Sequence, residues 1–172
     1  NISSQADKTQ IPTYFKDHKE YQSIFEPLLF MEAEAQIFQS LDDMDIDGDQ
    51  AEYVALCVTA INMVDEFLEV DCKSDERACR VLGENDIVLA HPAEGPNTQK
   101  ILMGIVFKSL PRKGVSEIGV RFCFQPSQAD LQSEMKMGAK YTVKSVCNLI
   151  TSSREHQALA HLPAFGYISE HI

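Results

Sequence analysis

IPTYFKDHKEYQSIFEPLLFMEAEAQIF, Ile11 to Phe38, sets apolar side chains at Tyr21, Ile24, Phe25, Leu28, Met31, Ala35 and Phe38. An interval of three or four residues is the signature of one helix face. Asp17 stands where an N-cap belongs, and Glu20, three residues on, completes a capping box for the free amides of the first turn. Pro27 has no backbone donor and its ring crowds the carbonyl four residues back, so a kink or a restart is expected there. A helix this long needs a surface to lie against. The rest of the chain has to supply it.

Working outward, residues 1–10 are polar and aperiodic, a loosely held lead-in. On the other side lies LDDMDIDGDQAE, Leu41 to Glu52, an acidic linker. Asp43, Asp45 and Asp47 alternate, and Gly48 follows in the sixth position of a would-be calcium loop. The comparison then fails: the twelfth position is Val54 where a bidentate glutamate should close the shell, Glu52 falls two places early, and Gln50 takes the eighth position. The stretch reads as a solvated acidic turn.

From Tyr53 the period changes. EYVALCVTAINMV, FLEVDC, DIVLAH (Asp86 to His91), KILMGIVFKSL (Lys100 to Leu110), SEIGVRFCFQP and KYTVKSV (Lys140 to Val146) are short runs rich in branched and aromatic residues. Pro92, Gly95, Pro96, Pro111 and Gly114 punctuate them. Within SEIGVRFCFQP, Val120, Phe122 and Phe124 share one face and Arg121 and Cys123 the other. Five to six short strands with such turns predict a small antiparallel β-barrel. Gly104 and Gly119, inside strands, suit the bends that closure requires. The helical period returns from Thr151 to Ile172, with Ser152 and Glu155 as a second capping box. Ala158, Leu159 and Leu162 form its apolar face, Pro163 interrupts, and Phe165, Tyr167 and Ile168 follow. The predicted class is α+β: a barrel between two antiparallel terminal helices, each covering the other's apolar stripe. The expected divisions are 1–16 lead-in, 17–41 first helix, 42–52 linker, 53–148 barrel and 149–172 return helix.

Composition is consistent with this plan. The chain has 172 residues, 44% hydrophobic and 24% charged, enough for one globular domain with a core. No apolar run reaches the roughly 20 residues a membrane helix needs, and the start does not resemble a signal peptide. A first residue of Asn1 suggests a fragment or a processed product. Five cysteines (Cys57, Cys72, Cys79, Cys123, Cys147) lack CxxC spacing and read as reduced, mostly buried thiols of an intracellular protein. His91, His156, His161 and His171 have no metal-ligand arrangement. Net charge is -11 but unevenly spread. Residues 42–94 hold three basic and fifteen acidic side chains, net -12, whereas residues 95–144 hold eight basic and three acidic, net +5. An acidic chain with one positive surface follows.

Four segments, in order, resemble the senataxin-like branch of superfamily 1B helicases. The opening helix with its KEYQ and PLL is similar to the first stalk segment of those proteins. VDEFLEV (Val64 to Val70) and NDIVLAHP resemble strands of their accessory barrel, and LITSSREHQALAHL (Leu149 to Leu162) resembles the return helix. The resemblance implies a barrel held by a two-helix stalk beside RecA-like motor domains, over a channel for single-stranded RNA or DNA. It also implies a parent that is an ATP- and magnesium-dependent helicase moving 5′ to 3′. The implied setting is nuclear, in transcription termination and R-loop removal. The present chain has no GxxxxGK[ST] loop and no DExx box, and it ends near where the nucleotide-binding segment should begin. It is expected to be non-catalytic, to need no cofactor or metal of its own, and to be monomeric without membrane attachment.

Under that resemblance Lys108, Arg112, Lys113, Arg121, Lys140 and Lys144, with Lys100 and Lys136, contact the backbone of a single strand. Lys108, Arg112 and Lys113 flank one hairpin tip and lead the set. Tyr141, beside Lys140, is the stacking candidate, while Phe107, Phe122 and Phe124 are assigned to the core. Lysines on strand faces are ordinarily just solvated. Binding by the isolated chain is therefore expected to be weak or absent. The alternative is a protein-interaction module that docks a basic partner through its acidic 42–94 region. No catalytic constellation emerges.

Overall fold

The computed structural model describes residues 11–47, 52–94, 101–123 and 135–164. Its elements are α1 (His18–Asp47), β1 (Val54–Val64), β2 (Phe67–Ser74), α2 (Ala78–Val81), β3 (Asp86–Pro92), β4 (Leu102–Arg112), β5 (Val115–Cys123), β6 (Lys140–Asn148) and α3 (Ile150–His161). A 3-10 turn, Leu162–Ala164, follows. The six strands pair antiparallel in the order β1-β2-β5-β4-β3-β6, and β6 returns to β1, closing a barrel. The α+β class is as expected, and the strand count is six, within the five to six expected from the alternation.

Alternate residues point inward, as a period of two requires. Leu56 and Val58, Leu68 and Val70, Val88 and Ala90, Leu102 and Val106, Ile118 and Val120, and Tyr141 and Val143 are all buried in the barrel core. Burying each of the larger side chains contributes about 1.5–3 kcal/mol. Gly104 leaves room for this packing: a Cβ there would stand 2.8 Å from the Phe122 ring and from Val120. The stretch between β2 and β3 carried no periodic signal, because a four-residue helix is too short to show one. It forms α2, which with the following residue sends Ala78 and Leu82 into the core. The buried Ser116 hydroxyl accepts from the Cys79 amide at 3.3 Å, and the Ser109 hydroxyl donates to the Leu82 carbonyl at 2.6 Å.

Two turns set the hairpins. Val64 pairs with Phe67, so the β1–β2 turn is two residues long, and Asp65 adopts a φ of 55° that aspartate tolerates. At the β4–β5 turn Arg112 pairs with Val115, and Gly114 has a φ of 82°. Pro111 does not stop β4, as its lack of a donor suggested. It lies in the strand opposite Ser116, next to the turn.

Chain contacts define two compact units, Asn1–Ala33 with Ser152–Ile172 and Glu34–Thr151, each considered within its described residues. In the first unit α1 and α3 run antiparallel. Gln22 Nε2 donates to the Leu159 carbonyl at 2.6 Å, His156 Nε2 lies 3.1 Å from Glu26 Oε1, and Phe30 meets the His156 ring at 5.4 Å. Before them, Phe15, Tyr21 and Phe25 form an aromatic cluster, with Tyr21 and Phe25 stacked at 4.3 Å. These contacts between α1 and α3 are partly polar, and Tyr21, Ile24, Phe25 and Leu28 of the apolar stripe are half-buried. Met31 and Phe38 on that stripe are 57% and 59% exposed.

The start of α1 is capped nearly as the sequence suggests. Asp17 Oδ1 accepts from the Glu20 amide at 2.9 Å, but the Glu20 carboxylate reaches the Lys16 amide, one residue before the cap. The helix is continuous through Pro27 and runs on to Asp47, across the first residues of the expected acidic linker. Helix α3 begins at Ile150, which puts Ser152 inside its first turn. Asn148, rather than Ser152, meets the opening amide: its Oδ1 accepts from Ile150 at 2.9 Å. Phe124, Lys100 and the segment from Phe165 onward lie outside the described residues.

Candidate nucleic-acid interface

The β4–β5 hairpin and its neighbour β2 carry most of the cations singled out above. On the outer face of these three strands the register aligns Glu69 with Arg121 and Ile105, then Asp71 with Gly119 and Lys108. The residues pair across the strands. Lys108 Nζ donates to Asp71 Oδ1 at 2.5 Å, with both side chains 31% exposed. Arg121 donates from Nε and Nη2 to the single oxygen Glu69 Oε1, at 3.0 Å from Nε. Arg112 Nε is 3.5 Å from Glu117.

Lys108 is on this face because of a bulge. Val106 is buried, so strict alternation would put Phe107 outside and Lys108 inside. The register slips between Val106 and Lys108, and both end up facing out. Phe107 lies over Gly119: a Cβ on that glycine would meet the ring at 2.6 Å. This corrects the assignment of Phe107 to the core. The opposite correction applies to Tyr141. It is 5% exposed, in the barrel interior, so its ring is not placed to stack on a base. Phe122 is core, 4% exposed.

The other cations are scattered. Lys140 Nζ is 3.4 Å from Glu94 Oε1, and Lys144 lies over the Tyr53 ring at 5.7 Å. Lys136 is exposed. Lys113, in the β4–β5 turn, has no ion-pair partner among the described residues and is exposed. So the structure brings Lys108, Arg112, Lys113 and Arg121 together on one hairpin, and leaves Lys140 and Lys144 on β6. Within the group Lys113 has no ion-pair partner among the described residues, and Arg112, 3.5 Å from Glu117, is the most exposed of the paired cations at 59%. Residues 42–94 likewise spend acidic charge internally. Besides Glu69 and Asp71, the buried Asp86 accepts from the Gly83 amide at 2.8 Å and from Asn148 Nδ2.

The sequence missed Phe67. It is 39% exposed, and its ring centroid lies 5.7 Å from the Arg121 guanidinium carbon, the same distance as Phe107. Its alternation with the buried Leu68 and Val70 was the available signal. Of the thiols, Cys72 alone is buried, Cys123 is exposed and the other three are intermediate, so the expectation of mostly buried cysteines is corrected. Burial pushes the Cys72 thiol up to about 12, with Asp71 and Cys57 adding to the shift. In the first unit, Gln22, Glu26, His156, Leu159 and Ala160 line an open cleft of about 270 Å³. No helix among the described residues is long and apolar enough to cross a membrane.

A closed antiparallel barrel whose outer face is laced by cross-strand ion pairs is the class defined by these observations. The family model for the helicase SEN1 β-barrel domain matches residues 49–146, more than half of the chain. The chain belongs to that family, and it carries a helicase-associated accessory module. A comparison with curated proteins found no match.

Proposed function

We propose that this chain is the stalk-and-barrel accessory part of a senataxin-type helicase and that it guides single-stranded RNA or DNA beside RecA-like motor domains. The observation that carries the reading is the β4–β5 turn. In a chain of net charge -11, the cations of Arg112 and Lys113 sit at the tip of a stiff hairpin. Phosphate contacts from such a tip hold a strand in place without reading its sequence. The exposed Phe30, Met31 and Phe38 of α1 support attachment to a larger body. The parent in this reading is an ATP-driven 5′ to 3′ helicase of the nucleus, acting in transcription termination and R-loop removal. The alternative, docking of a basic partner on residues 42–94, is weakened because Glu69, Asp71 and Asp86 already have partners inside the fold.

The test is binding of a labelled single-stranded oligonucleotide across a salt series. Lys108 is left alone, because a glutamate there would face Asp71 and unsettle the barrel. Arg112→Glu with Lys113→Glu should abolish binding or weaken it at least tenfold at low salt, and should flatten the dependence on salt by about one unit of slope per lost phosphate contact. Unchanged affinity in the double variant overturns the assignment of the tip.

A further inference from the structure

Phe67 and Phe107 flank the guanidinium of Arg121 on the outer face of β2, β5 and β4, with both ring centroids 5.7 Å from its central carbon. Three features build this arrangement. The bulge after Val106 lets Phe107 and Lys108 both face outward, and Gly119 lets the Phe107 ring lie down on the strand below. Glu69 holds Arg121 from one side, so the guanidinium is fixed while its side chain stays 40% exposed. Phe67, 39% exposed, presents an aromatic surface to solvent beside it.

From this geometry we infer that Phe67, Arg121 and Phe107 form a stacking platform for an unpaired nucleobase. Aromatic faces and planar guanidinium groups accept any base, and the gain does not depend on sequence. The charge around the platform fits a polyanion: β4 and β5 with their turn carry Lys108, Arg112, Lys113 and Arg121 against a single acid, Glu117. Arg121 lies six steps along β5 from Val115, next to the turn, about 20 Å at the rise of a strand. A strand held by its phosphates at the turn can therefore run along β5 and lay a base on the platform. The inference rests on the proposed function and adds a second, uncharged contact to it.

The experiment uses the full chain and a short oligouridylate carrying one 2-aminopurine, whose fluorescence is quenched on stacking. Phe67→Leu keeps an apolar side chain at an exposed position and removes the π face; Phe107→Leu is the second variant. Each should weaken binding about tenfold and remove the quench, with the salt slope unchanged. The turn variant should lower the slope instead. If both leucine variants bind and quench like the original chain while the turn variant is weakened, the platform is wrong and the proposed function stands. The turn and the platform together require binding that is weak but measurable at low salt, the first of the two cases expected from the sequence, so an unaltered chain that neither binds nor quenches there overturns both.

Discussion

Asn148 ties four groups together. Its Nδ2 donates to Asp86 Oδ1 at 2.5 Å and to the Glu84 carbonyl at 3.0 Å, its Oδ1 accepts from the Ile150 amide, and its carbonyl accepts from Gln36 at 3.3 Å. Asn148→Ala strips a donor from a carboxylate that is only 7% exposed and uncaps α3. Leaving such a group short of partners costs about 1–3 kcal/mol, which a lower urea midpoint should report. Asn148→Asp, similar in shape but negative against Asp86, should cost more at neutral pH. The cysteines give a second expectation. The Cys72 thiol, buried and pushed up to about 12, should resist maleimide at neutral pH until the chain unfolds, whereas Cys123 should react in the native state. Mass spectrometry of the labelled chain distinguishes the two. At this scale the sequence was legible in parity but not in direction. Tyr141 and Val143 plainly share a face of β6, yet Thr142, Lys144 and Val146 were no clearer a solvent face, and only closure of the barrel decides that Tyr141 goes in.

Whole elements were easier to read than their ends. The strands followed from alternation, and α1 from its three-and-four spacing. The extension of α1 to Asp47 was hidden because acidic residues look alike in a helix and in a linker. Pro111 looked like a stop, but beside a turn a strand can spare one donor. The bulge in β4 was not visible at all, since an inserted residue leaves no mark in composition, and Lys108 owes its outward position to it. At the start of α1 the amide of Glu20, donating to Asp17, holds that carboxyl below the ordinary aspartate value of 3.8. The ionised form is thus favoured by folding. Its contribution is complete above 3.8, the unfolded value, and is lost as pH falls through the lower folded value. The protection of the first-turn amides of α1, taken relative to their intrinsic exchange rates, should therefore fall in acid. Asp17→Asn, which caps without a charge, should remove that pH dependence while keeping most of the protection.

Taken as a molecule, the chain separates its charges: an acidic first half and a barrel hairpin that gathers cations at one turn. It also has two kinds of apolar surface, a closed core inside the barrel and the exposed Met31 and Phe38 on α1. Met31→Glu with Phe38→Glu should change the unfolding free energy by no more than about 0.5 kcal/mol, as for other exposed positions. In the proposed reading, where α1 is the attachment surface, the same pair should abolish association with RecA-like domains supplied separately. Pull-down together with thermal melts checks both halves of that expectation. Periodicity was enough for the barrel core, where alternation marks the inward face; on α1 it marks a stripe but does not say which part of it meets a partner.

The most direct test is photo-crosslinking of a 4-thiouridine oligonucleotide to the full chain, with the attachment sites mapped by mass spectrometry. Crosslinks should fall on Phe67 and within Leu102–Cys123, concentrated at the β4–β5 turn and around Arg121. Crosslinks confined to α1 or β6, or none above background, would contradict the account.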